Sequence, residues 1–150
     1  MVRVPTELID SPIDRSKGER QPVILVADDE VMIRDLVTVL MQQDGYYVLS
    51  AADGREGLEL SHQYLGSIDL LITDVQMPRL SGTDLSAQLA KERPGIKVLM
   101  MSGADMTEIV RQNATLQFLP KPFDGQTLRA RVRATVTASV QPPMLPKLKP

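Results

Sequence analysis

Short apolar runs alternate with segments of helical period along the middle of the chain. Val23-Ile24-Leu25-Val26-Ala27 is continuously apolar, the pattern of a strand covered on both faces. Ile33, Leu36, Val37, Leu40 and Met41 then follow at the spacing of an amphipathic helix, which Gly45 ends. Tyr46–Ser50 predicts a second strand. Asp53, with Glu56 three residues on, has the form of a capping box opening a helix through Leu58 and Leu65. Leu70–Thr73 and Val98–Met101 predict two more strands, flanking a helix marked by Leu85 and Leu89 and stopped at Pro94-Gly95. A short, poorly patterned helix is expected around Ile109-Val110, then a strand over Leu116–Leu119. Leu128, Val132 and Val136 define a last helix capped by Asp124. Five strands, each followed by a helix, predict an α/β fold: a doubly wound, five-stranded parallel sheet with helices on both faces.

The flanks lack this periodicity. Residues 1–21 mix charges, Ser and two prolines, and are expected to be a flexible leader. From Gln141 onward Pro142, Pro143, Pro146 and Pro150 remove donors and fix φ, so an extended tail over 139–150 is expected. One domain over 22–138 lies between them. Pro143-Met144-Leu145-Pro146 has the PxxP form, read as plain linker before docking peptide.

Composition narrows the chemistry. The 150 residues include no Cys and one His, which excludes disulfides, thiol catalysis, Cys-ligated metals and His-cluster sites. Seventeen basic and nineteen acidic residues give a formal charge of −2, with no global bias toward nucleic acid. Arg129, Arg131 and Arg133 spread around the last helix without neighbouring aromatics, so DNA is not an expected partner. No apolar run is long enough for membrane insertion, no secretory signal is evident, and a cytoplasmic protein is expected. His62 falls on the second helix, away from the strand ends, in a surface or boundary role.

The informative polar residues directly follow the apolar runs, because ligands of such sheets bind outside the carboxyl ends of the strands. Asp28, Asp29 and Glu30 follow the first strand, Asp74 the third, Ser102 the fourth and Lys121 the fifth. Clustered carboxylates repel by about 4 kcal/mol per pair at ~4 Å and an effective dielectric of ~20. Keeping them ionised calls for a cation, and hard oxygen donors favour Mg²⁺. Lys121 and Ser102 suit phosphate oxygens, and Asp74 is placed as a nucleophile toward phosphorus.

The runs Ile24–Glu30, Asp74-Val75-Gln76-Met77-Pro78 with Gly82, Met101-Ser102-Gly103 and Lys121-Pro122-Phe123 resemble the receiver domain of two-component response regulators. Ala52–Leu58 matches the usual start of that family's second helix. The resemblance implies a flavodoxin-like fold in which Asp74 accepts a phosphoryl group from a phosphohistidine. It implies a Mg²⁺ site at Asp28, Asp29, Asp74 and the backbone carbonyl of Gln76. It further implies that Ser102 and Lys121 contact the phosphoryl group, that Ser102 and Phe118 form the switch, and that Gln76 and Ala104 line the hydrolysis path. The implied partners are a sensor histidine kinase or His-phosphotransfer protein and a downstream protein target, with a homodimer left open. The chain is then a single-domain regulator, a phosphoacceptor and not an enzyme in its own right.

Two departures stand out. The interval from Ser102 to Lys121 is short, so the fourth helix is expected to be abbreviated. Phe118 replaces the commoner Tyr, which removes a phenol hydrogen bond from any output. Two rival readings remain: a metal-dependent aspartyl phosphatase or phosphotransferase, and a non-phosphorylated interaction module of the same fold. The first usually needs an acid two residues after the nucleophile, where this chain has Gln76.

Overall fold

The computed structural model describes residues 13–14, 19–103 and 117–137. Five parallel strands form one sheet: β1 (Val23–Ala27), β2 (Tyr47–Ala51), β3 (Leu70–Asp74), β4 (Lys97–Ser102) and β5 (Gln117–Pro120), in the order β2-β1-β3-β4-β5. Four helices are described, α1 (Val31–Gln43), α2 (Gly54–Gln63), α3 (Gly82–Glu92) and α4 (Gly125–Thr137). The fold is flavodoxin-like, as expected.

Strand alternation divides the core. Val23, Leu25 and Ala27 of β1 face one apolar cluster with Leu60 of α2 and Leu85 and Leu89 of α3. Ile24 and Val26 face the other, with Val37 and Met41 of α1 and Leu128 and Val132 of α4. Every β1 side chain is therefore buried, which is why its sequence is unbroken by polar residues.

Local signals explain most boundaries. Asp53 accepts from the Glu56 amide at 2.8 Å and caps α2, Ser81 caps α3 through the Asp84 amide at 3.0 Å, and Asp124 accepts from the Thr127 amide at 2.7 Å. Gly45, at φ 93°, supplies the left-handed turn after α1.

Two expectations need correction. α2 ends at Gln63, so Leu65 lies beyond it and is 72% exposed, while the adjoining Tyr64 is buried. The second strand runs one residue later than its apolar run, from Tyr47 to Ala51, because the register pairs Val23 with Tyr47 and Ala27 with Ala51. Within the expected leader, Ile13–Asp14 pairs antiparallel with Glu19–Arg20. The expected short helix around Ile109-Val110, Leu116, Ala104 and the tail over 139–150 lie outside the described residues.

Candidate functional site

The chain reverses its direction of sheet growth at β1: it passes first to β2 on one side, then returns to β3 on the other. That is the switch point at which a doubly wound sheet opens a crevice at its carboxyl edge. Ala27 pairs with Thr73, so Asp28 and Asp74 leave adjacent strands side by side. Asp74 pairs in turn with Met101, and Ser102 with Pro120, so Ser102 and Lys121 emerge at the same edge. The Lys121 amide continues that ladder by donating to the Ser102 carbonyl at 2.8 Å.

Asp28 is fully buried. Its Oδ1 accepts from the Glu30 amide at 2.8 Å and its Oδ2 from Lys121 Nζ at 3.1 Å, while Arg34 donates to its carbonyl at 2.8 Å. Lys121 Nζ also lies 3.1 Å from Glu30 Oε1 and 3.5 Å from Asp74 Oδ1. Asp74 Oδ1 accepts from the Val75 amide at 3.0 Å, and Asp29 stands exposed at the rim. One carboxylate oxygen from each of Asp28, Asp29 and Asp74 can be chosen so that all lie within 4.8 Å of one another.

Electrostatics follow from this crowding. Burial raises the pKa of Asp74; the Lys121 charge opposes the rise, and the charges of Asp28 and Asp29 add to it. Burial alone would lower the pKa of Lys121. The hydrogen bond and charge of Asp28, with Glu30 and Asp74, outweigh it, and the ammonium is held more firmly than in water. Three carboxylates of hard oxygen character around one ammonium fit a divalent cation such as Mg²⁺ as a further neutralising partner.

The loop after Asp74 is tightly folded. Gly82 sits so close to the Asp74 carbonyl that a Cβ would approach its oxygen to 1.9 Å, which permits only glycine. Thr73 Oγ1 donates to the same carbonyl at 2.9 Å, and the Gly82 amide donates to the Val75 carbonyl at 2.8 Å.

Asp28, Asp29, Asp74 and Lys121 thus converge, and buried Ser102 lies at the same edge. Gln76 is exposed on the loop beyond Asp74. Phe118 is half-buried against the cluster on the α2–α3 face, and its carbonyl accepts a hydrogen bond from Arg131. Three contributors were not singled out from sequence. The sequence offers Glu30 only as a third acid, and Arg34 and Arg79 not at all. Only the first carried a local signal, its place beside the acidic pair.

Comparison with known proteins agrees with this geometry. The family model described as the response regulator receiver domain matches residues 24–133. The chain is 34% identical over 113 residues to the sensor kinase CckA of Brucella abortus, covering 73% of this chain and 12% of that protein. It is 32% identical to the transcriptional regulatory protein PdtaR of Mycobacterium tuberculosis, covering 76% of this chain and 56% of the relative. The chain spans about half the length, or less, of curated relatives that it matches. The crystal structure of a response regulator receiver domain protein from Clostridium thermocellum superimposes with a TM-score of 0.69 at 32% identity, covering 77% of this chain and 94% of that one. With the acidic cluster and the strand-end lysine gathered at the switch point, and the family model matching most of the chain, this protein belongs to the response regulator receiver domain family.

Proposed function

We propose that Asp74 is the phosphoacceptor of a two-component signalling step and takes its phosphoryl group from a phosphohistidine. The observation that carries this reading is the approach of Lys121 Nζ to Asp28 and Asp74 inside the acidic cluster. A carboxylate oxygen of Asp74 attacks phosphorus as the bond from phosphorus to the donor imidazole breaks. The electron pair returns to the imidazole nitrogen, and an acyl phosphate remains on the protein. Lys121 neutralises negative charge on the phosphoryl oxygens, and the Ser102 hydroxyl donates to one of them. Asp28 and Asp29, with Asp74 and the Gln76 carbonyl, would hold Mg²⁺, which supplies charge neutralisation at those oxygens.

The acyl phosphate adds a charge of about −1.5 to −2 beside groups that were already crowded. Ser102 moves toward it and Phe118 turns into the space released, so that a downstream protein reads the change. The protein is a phosphoacceptor acting in the cytoplasm, without turnover of a free substrate. A protein donor, a sensor kinase or a His-phosphotransfer protein, suits the rim. Met32, Leu36 and Val39 leave an apolar stripe exposed on α1, and that helix begins one residue beyond Glu30.

Intact-protein mass spectrometry tests the reading. Phosphoramidate with Mg²⁺ is expected to add about 80 Da to the wild type and nothing to Asp74→Asn. Equal labelling of both would remove Asp74 from the role.

A further inference from the structure

The loop joining β3 to α3 starts at Asp74 and carries Gln76, yet its outer half is held by a different element. Arg79 occupies left-handed backbone at φ 72°, unusual for a residue with a Cβ, and this turns its side chain onto the start of α2. There Arg79 Nε and Nη2 both reach Asp53 Oδ2, at 2.9 and 2.6 Å. Asp53 is itself buried, and its Oδ1 is committed to the Glu56 amide, so it is a fixed anchor. The next residue, Leu80, packs its carbonyl so tightly against Gly54 that a Cβ there would come within 2.1 Å of the oxygen. Two independent contacts thus fasten residues 79 and 80 to the amino terminus of α2.

We infer that the Arg79–Asp53 ion pair is a positioning device for the phosphoacceptor loop. By fastening the loop at Arg79 it keeps Val75, whose amide holds Asp74 Oδ1, and Gln76 in the geometry the transfer needs. This rests on the proposed role of Asp74. A loop freed at Arg79 samples more conformations even with Leu80 still packed on Gly54, and the transition states of phosphoryl gain and of hydrolysis both need the same loop groups around the phosphoryl oxygens. Losing the clamp therefore slows both directions, whereas simple destabilisation of the phosphorylated form would shorten its lifetime.

The test uses the full chain with Arg79→Gln, Asp53→Asn and the double variant; Asn retains a side-chain oxygen to cap α2. Phosphoramidate labelling and the lifetime of the adduct are followed by intact mass, beside thermal melts and the amide resonances of Val75 and Gln76. Each single variant is expected to label about threefold more slowly and to keep the adduct about threefold longer, the size of effect for a partly exposed ion pair. The double variant is expected to match the singles, not to multiply them. Arg79→Lys, which keeps the charge and one donor, is expected to recover part of the rate. Both amide resonances should move in every variant that breaks the pair. A wild type that labels normally alongside variants with unchanged rates, or with altered melting alone, overturns the clamp. A wild type that does not label at all overturns the phosphoacceptor reading instead.

Discussion

At the amino edge of the sheet the Arg93 guanidinium donates to Ser61 Oγ and to the carbonyls of Ser61, Tyr64 and Gly66, each at 2.8 Å. Asp69 accepts from the Val23 amide at 2.8 Å, and Lys97 donates to the Val136 carbonyl at 3.1 Å. These charges close off loop and helix ends that the fold itself leaves unsatisfied. At the carboxyl edge Lys121 faces Asp28, Glu30 and Asp74 together, and the carboxylates crowd one another. One edge uses its charges to stabilise backbone; the other holds its charges against each other. Loss of a charge should therefore lower stability at the first edge, whereas loss of the crowded Asp74 carboxylate at the second should lower function with a gain in stability.

The largest effect expected is on labelling. Chelating divalent cations before phosphoramidate treatment should abolish the adduct of about 80 Da, while melting of the protein persists. A chelated sample that labels at the wild-type rate would contradict a metal-assisted site. Next comes Arg93→Ala at the opposite edge. Three carbonyls lose their donor, so chemical denaturation should register a loss of about 3 kcal/mol, with labelling of the folded fraction intact. Impaired labelling of that fraction would mean that the two edges are coupled.

Asp74→Asn gives a smaller effect of opposite sign. Burial, with Asp28 and Asp29, holds the pKa of Asp74 above its unfolded value despite Lys121. Its contribution to stability is then fully present below the unfolded pKa and is lost as pH rises through the folded one. At neutral pH in metal-free buffer the Asn variant should be the more stable, with a melting temperature raised by a few degrees. The gap should close as the solution is acidified through the raised pKa; a neutral-pH loss would show that Lys121 outweighs the crowding. Smallest of all is His62→Ala. Its ring contacts Glu92 at 2.9 Å between α2 and α3, but on an exposed surface, so a change within about 0.5 kcal/mol and unaltered labelling are expected.

Much of this division is legible in the sequence. Val23–Ala27 announces a strand buried on both faces, and the acidic pair that follows it marks the edge where the carboxylates gather. Asp53 with Glu56, Asp124 and Gly45 marked element ends through local chemistry that a few neighbouring residues complete. Leu65 misled because an apolar residue at helical spacing need not be in the helix. Tyr64, one residue earlier, turns into the core and ends α2 there. Arg79 and Arg93 gave no signal, because their partners lie 26 to 32 residues away in the chain.

The sequence alone determined the alternation of strands and helices, the double-sided burial of β1 and the identity of the polar residues at the strand ends. Each of these depends on side-chain periodicity or on neighbours within one turn. Tertiary structure decided which oxygens face which nitrogen: that Lys121 lies nearer to Asp28 and Glu30 than to Asp74, and that Arg79 reaches Asp53. Such choices are set by parallel register and by loop closure across the sheet, where distances of a few tenths of an ångström separate partners and no local pattern encodes them.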